Sequence, residues 1–150
     1  MADTNLNDLQ PQFRAKVEMW LEKLKANGIE IKITETLRSF ARSGELYAQG
    51  RTAPGKKVTN AKPGQSYHNF GLALDCYPVE AGKVVVDFDQ HPDLMAKMTR
   101  AAGFALDCGI TWGGHWKFKD YPHFQEGDCP SLAECNRRWP KGWIPAEDKE

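Results

Sequence analysis

The chain has no charge excess of either sign: 20 Lys+Arg stand against 20 Asp+Glu in 150 residues, a formal net charge of +0. That balance argues against a general nucleic-acid binder, which needs a basic excess to neutralise phosphates, and against a basic amphipathic membrane binder. No stretch approaches the roughly 18 consecutive apolar residues of a membrane-spanning helix, so stable membrane insertion is not expected. The polar, acidic opening from Met1 to Gln12 lacks the basic and then apolar pattern of a secretory signal, which predicts a protein made and held in the cytoplasm. The four cysteines, Cys76, Cys108, Cys129 and Cys135, form no CxxC pair, which argues against a zinc ribbon or a thioredoxin-like centre. Reduced, inert thiols fit a cytoplasmic protein, and a Cys129 to Cys135 bridge closing a short loop after export is the alternative. Repeats and low-complexity tracts are absent too. With 41% hydrophobic and 27% charged residues the chain is globular rather than disordered. At this length about 70% of the unfolded surface can be buried, enough for one domain that needs no disulfide staples.

Hydrophobic periodicity supplies the elements. Phe13, Val17, Trp20, Leu21 and Leu24 recur at helical spacing between Pro11 and Asn27, with Gly28 placed to stop the helix. Ile29, Ile31 and Ile33 alternate with Glu30 and Lys32 as a half-buried strand does. A second helix is predicted over Ser43 to Gln49, followed by an extended loop from Arg51 to Gln65 rich in Gly, Pro and Lys. From Gly71, Leu72, Leu74 and Cys76 alternate with Ala73, Asp75 and Tyr77, so a strand would send Asp75 to the face opposite the leucines, and Pro78 would end that strand or mark its edge. Val84 to Val86 reads as a short strand and His91 to Ala102 as a third helix with Leu94, Met95 and Met98 inward and Gly103 after its end. Trp112 to Phe124 reads as a Gly-Gly turn and an aromatic-rich strand region. Beyond Phe124 the pattern dissolves into a wrapping segment, with Trp139 and Trp143 either packed against the body or free to bind a ligand surface. The fold class is α+β, a small antiparallel sheet with flanking helices.

The chemistry concentrates in Ser66-Tyr67-His68-Asn69-Phe70-Gly71-Leu72-Ala73-Leu74-Asp75 and in Asp120-Tyr121-Pro122-His123-Phe124. A hydrolytic zinc site needs three N or O ligands and one open position. His68, Asp75 and His123 suit that need and leave Asp120 free as a general base. The metal would activate water and polarise a scissile carbonyl, and the base would pass the water proton to the leaving amine. On a regular strand Asp120 and His123 would point to opposite faces, so the arrangement requires a bulge or turn at Tyr121 and Pro122.

The pattern SxHxxGxAxD followed by DxPHF resembles the zinc D-alanyl-D-alanine carboxypeptidases and vancomycin-resistance dipeptidases, and more closely the phage endolysins that act as L-alanyl-D-glutamate endopeptidases on peptidoglycan. Leu37-Arg38-Ser39-Phe40, Leu46-Tyr47-Ala48-Gln49-Gly50-Arg51-Thr52, Val58-Thr59-Asn60-Ala61 and Trp112-Gly113-Gly114 extend the likeness over Ile29 to Gln125. The resemblance implies the hedgehog and D-alanyl-D-alanine zinc peptidase fold over a single catalytic domain, with 126–150 as the wrapping segment. It also implies one Zn2+ per chain on His68, Asp75 and His123, with Asp120 as base. Arg38 would steady the developing oxyanion, with a surface salt bridge as its plain alternative. Ser66 would lie near the substrate or the ligand shell, or serve as a turn hydroxyl. One departure is His115, where such endolysins commonly carry an acidic residue after the Gly-Gly; it is placed outside the ligand set, and His91 reads as structural.

The implied activity is hydrolysis of the L-alanyl-D-glutamate bond of the stem peptide during host lysis, by a monomer that reaches the wall through a holin and acts there or in the periplasm. The alternatives are a D-alanyl-D-alanine carboxypeptidase or dipeptidase acting on peptidoglycan precursors, and a non-catalytic wall-binding module. The lack of a separate wall-binding domain points to a Gram-negative host. The zero net charge conceals an uneven distribution: between Glu45 and Asp75 lie Arg51, Lys56, Lys57 and Lys62 and no acidic residue. That stretch is either a solvated loop or a surface complementary to the acidic stem peptide.

Overall fold

The computed structural model describes residues 2–146. Four helices flank one antiparallel sheet. α1 (Pro11–Ala26) starts on a proline, whose missing N–H has no partner to lose in the first turn. It buries Phe13, Val17, Trp20 and Leu24, the stripe its periodicity predicts. α2 (Phe40–Ala48) begins three residues before the predicted Ser43, because the Ser39 hydroxyl caps it by accepting the Arg42 N–H at 3.0 Å. α3 (Pro92–Asp107) runs five residues past the predicted end. Gly103 lies inside it, and Ala101, Ala102 and Ala105 continue the buried stripe until Gly109 stops the chain. α4 (Leu132–Arg138) lies in the segment where no element is predicted. Its signature is present as Ser131-Leu-Ala-Glu134: the Ser131 hydroxyl accepts the Glu134 N–H at 3.1 Å.

The sheet comprises β1 (Ile31–Glu35), β2 (Ala73–Glu80), β3 (Lys83–Val84), β4 (Ile110–Trp112) and β5 (His123–Glu126), ordered β1-β2-β5-β4 with β3 paired to β2. Every pairing is antiparallel. β2 continues through Pro78 instead of ending there. Opposite Ile31 that position is non-hydrogen-bonded, since the flanking Val79 N–H donates to Glu30 O, so the absent N–H costs nothing in the β1 ladder. It is missed only toward the two-residue β3, where Val85 N–H still reaches Pro78 O.

Leu74 and Cys76 are fully buried on one face of β2, and so is Leu72 just before the strand, as their alternation with Asp75 requires. They share a core with Phe124, whose ring lies 4.6 Å from that of Trp20. The Trp20 indole N–H donates to Ala101 O at 2.8 Å and ties α1 to α3. The opposite face presents Asp75 from β2 beside His123 and Gln125 from β5. All four cysteines are free thiols, and burial pushes that of Cys129 up to about 12. No helix among the described residues is long and apolar enough to cross a membrane.

Candidate active site

Strand register brings the first two polar groups together. Cys76 N–H donates to Pro122 O, which makes Asp75 and His123 a non-hydrogen-bonded pair. Side chains at such a pair approach most closely, and His123 Nδ1 lies 3.5 Å from Asp75 Oδ1. His68 arrives from the 3-10 turn Tyr67–Phe70, capped by the Ser66 hydroxyl, which accepts His68 N–H at 3.2 Å. Its Nε2 stands 3.1 Å from the same Asp75 oxygen. One ligand-type atom from each of the three residues lies within 4.8 Å of the others.

The hydrogen bonds around this group define where its lone pairs point. Thr36 O can only accept, so His68 Nδ1, 2.8 Å away, carries the proton it receives. His68 Nε2 then faces a carboxylate oxygen, and two acceptors at that distance require a positive charge between them, either a second imidazole proton or a metal cation. His123 repeats the arrangement: Nε2 is 2.9 Å from Gln125 Oε1, which turns Nδ1 toward Asp75. Burial by itself would raise the Asp75 carboxyl, but the His68 and His123 imidazoles overrule it and hold it far below the usual carboxylate range. Burial would likewise lower His68, and the Asp75 carboxylate overrules it upward. Two imidazoles, each oriented by a partner behind it, and the carboxylate between them form a donor set that fits a divalent cation such as zinc.

Asp120 joins the group through a turn. Asp120 N–H donates to Gly113 O at 3.0 Å and His123 N–H to Asp120 O at 3.2 Å, the irregularity that the Tyr121-Pro122 step predicts. Its half-exposed carboxylate lies 3.8 Å from His123 Nδ1. Burial and the Asp75 charge raise its pKa against the pull of His123. Gly113 admits this turn because a Cβ there would stand 2.5 Å from Asp120 O, and at Gly114 a Cβ would strike the Trp112 indole at 2.3 Å. Arg38 lines the same cleft, held in a bidentate pair with Glu35 (2.6 and 3.0 Å) and positioned by its backbone N–H on His68 O at 2.9 Å.

The cleft encloses about 630 Å³ and is also walled by Ser66, Tyr77 and Trp116. All six predicted site residues, His68, Asp75, His123, Asp120, Arg38 and Ser66, line it. The Ser66 hydroxyl does the work of a turn cap there. His115 is exposed with its ring 5.0 Å from that of Trp112, and His91 pairs with Asp87 at 3.3 Å; neither belongs to the three-residue group. In the basic stretch, Arg51 donates to Tyr47 O and Thr59 O and stacks on the Tyr47 ring, so it secures the loop, whereas Lys56 and Lys57 are exposed.

Sequence reasoning missed the supporting residues. Gln125 shares a strand face with His123 two positions earlier, a period-2 signal that was available. Glu35 precedes Arg38 by three residues. The Thr36 carbonyl carries no side-chain signature at all.

Residues 59–126 match the family model described as D-alanyl-D-alanine carboxypeptidase. The chain is 38% identical over 123 residues to the peptidoglycan L-alanyl-D-glutamate endopeptidase CwlK of Bacillus subtilis, covering 79% of this chain and 74% of that protein. The chain belongs to the D-alanyl-D-alanine carboxypeptidase family of peptidases. The family segment contains His68, Asp75, Asp120 and His123 and leaves Arg38 outside it. The L-alanyl-D-glutamate peptidase of Listeria phage A118 is 31% identical over 122 residues; the match covers 81% of this family member but only 39% of the phage protein. Among solved structures, the L-Ala D-Glu endopeptidase ChiX of Serratia marcescens superposes with a TM-score of 0.54 at 27% identity, covering 93% of this chain and 94% of that one. The small antiparallel sheet with its flanking helices is thus the fold of this peptidase family.

Proposed function

We propose that the chain is a zinc endopeptidase that hydrolyses the L-alanyl-D-glutamate bond of peptidoglycan stem peptides and degrades the wall for host lysis. The observation that carries this reading is the convergence of His68, Asp75 and His123 beside Asp120 and Arg38 on one cleft. Bond specificity is taken from the relatives in Bacillus subtilis and Listeria phage A118, and the phage origin of the second is consistent with a role in host lysis.

His68 Nε2, Asp75 Oδ1 and His123 Nδ1 would hold the metal. When bound, zinc supplies Lewis acidity toward the scissile carbonyl and the attacking water. Asp120 takes the water proton and returns it to the amine of D-glutamate as the C–N bond breaks. Its raised pKa makes it a stronger base than an exposed aspartate. Arg38, its fork oriented by Glu35, donates to the carbonyl oxygen as negative charge gathers there, an effect of about 3 kcal/mol. Gln125 holds the His123 ring, so Gln125→Leu is expected to weaken zinc binding roughly 10- to 100-fold; competition with a calibrated chelator measures it.

Identification of the new termini in digested, purified peptidoglycan tests the reading. New L-alanine carboxyl ends paired with D-glutamate amines are expected. Free D-alanine without such ends would establish instead the carboxypeptidase reading that the family description favours.

A further inference from the structure

Seven arginines occur in the chain, and six have evident employment. Arg14, Arg38, Arg137 and Arg138 pair with carboxylates, Arg51 holds backbone carbonyls and a tyrosine ring, and Arg100 lies over Phe104. Arg42 differs. Among the described residues its guanidinium has no carboxylate, carbonyl or ring partner, and its Nε is buried without a hydrogen bond. It lines the cleft that holds His68, Asp75 and His123.

The position is also fixed. Arg42 N–H is bonded to the Ser39 cap, and the next residue, Ser43, accepts Asn69 Nδ2 at 2.8 Å, while that same Asn69 nitrogen donates to Arg38 O at 2.9 Å. Asn69 directly follows His68. The first turn of α2 is therefore pinned to the segment that carries one of the three convergent side chains, and Arg42 sits one residue from that pin. A buried, unpaired guanidinium N–H on a rigid wall of a substrate cleft is a binding group awaiting an anion, because leaving such a donor unsatisfied is unfavourable. Its planar fork is matched by a carboxylate.

We propose that Arg42 binds the free carboxylate of the D-glutamyl residue on the leaving side of the scissile bond. This rests on the endopeptidase reading above. A glutamyl residue joined to the chain through one of its carboxyl groups leaves the other one unjoined, so an L-alanyl-D-glutamyl substrate presents a carboxylate within a residue of the bond that breaks unless that group is amidated. The enzyme thereby distinguishes stems with a free D-glutamyl carboxylate from stems in which that group is an amide.

Two synthetic stem peptides that differ only in carboxylate against carboxamide at this residue test the proposal, with the full-length zinc-loaded protein. The wild type is expected to favour the carboxylate peptide in kcat/KM by on the order of 30-fold, the range of a hydrogen bond to a charged group. Arg42→Gln should reduce that ratio to near one by losing activity on the carboxylate peptide alone. Arg42→Lys, which keeps the charge but not the fork, should retain an intermediate ratio. A ratio near one in the wild type, or an undiminished ratio in Arg42→Gln, would overturn the proposal and leave the endopeptidase reading standing. Failure of the wild type to release an L-alanine-ended product from either peptide would overturn both.

Discussion

Asp120→Asn is expected to lose about two to four orders of magnitude in kcat while keeping its zinc. The size follows from general acid–base catalysis, in which a positioned carboxylate contributes roughly 10²- to 10⁴-fold. The selectivity follows from the turn. Asp120 is held by its backbone, through Gly113 O and His123 N–H, and its carboxylate is the more exposed member of the cluster, 3.8 Å from His123 Nδ1. An amide of the same shape fits without disturbing Asp75 or either imidazole. What it removes is the lone pair that accepts the proton of the attacking water. Metal analysis and turnover on purified murein should therefore part company: about one zinc per chain in wild type and variant, with activity only in the wild type. If Asp120→Asn sheds zinc as fully as His68→Ala and His123→Ala do, Asp120 is a ligand and the base lies elsewhere.

Removal of the metal should abolish activity altogether, and added zinc should restore it. Without a cation, His68 Nε2 and His123 Nδ1 face Asp75 across 3.1 and 3.5 Å and form a closed polar cluster with nothing to polarise a carbonyl. The same change should register in stability. A ligand present at 1,000 times its Kd stabilises the native state by about 4 kcal/mol, which for a chain of this length is a shift of roughly 10 °C in Tm. His68→Ala should abolish both effects, since it removes a ligand and strands the Thr36 carbonyl. Calorimetry with and without chelator, beside a murein-clearing assay, reads the two together. Unchanged turnover in the metal-depleted protein would refute the mechanism.

The site proved more legible in the sequence than the elements around it. Asp75 opposite Leu72 and Leu74 could be read from period-2 alternation, and the Tyr121-Pro122 turn from the need to bring Asp120 and His123 to one side. Both depend on local geometry that a short motif carries. The limits of α2 and α3 were misplaced because Ser39 and Gly109 outweigh the more conspicuous Ser43 and Gly103: a cap acts where the helix actually ends, and an interior glycine is tolerated when the buried stripe runs past it. α4 was overlooked despite its Ser131 and Glu134 pattern, since only Cys135 of its residues is fully buried and hydrophobic periodicity is weak there. Partners such as the Thr36 carbonyl and the isolated Arg42 are products of tertiary placement, which no spacing along the chain encodes.

The segment that follows β5 holds the ligand region from behind. Tyr67 OH donates to Pro130 O at 2.7 Å, Asn136 Nδ2 to Gly64 O at 2.8 Å and Trp143 N–H to Asn69 O at 2.9 Å, while the Trp139 ring lies 6.3 Å from that of Phe70. A nascent chain that has emerged only as far as Glu126 already contains His68, Asp75 and His123, with His68 and Asn69 held by Thr36, Arg38 and Ser43, but lacks these four contacts on residues 64–70. The last residues to be synthesised thus close the back of a site whose three convergent side chains are all made before them.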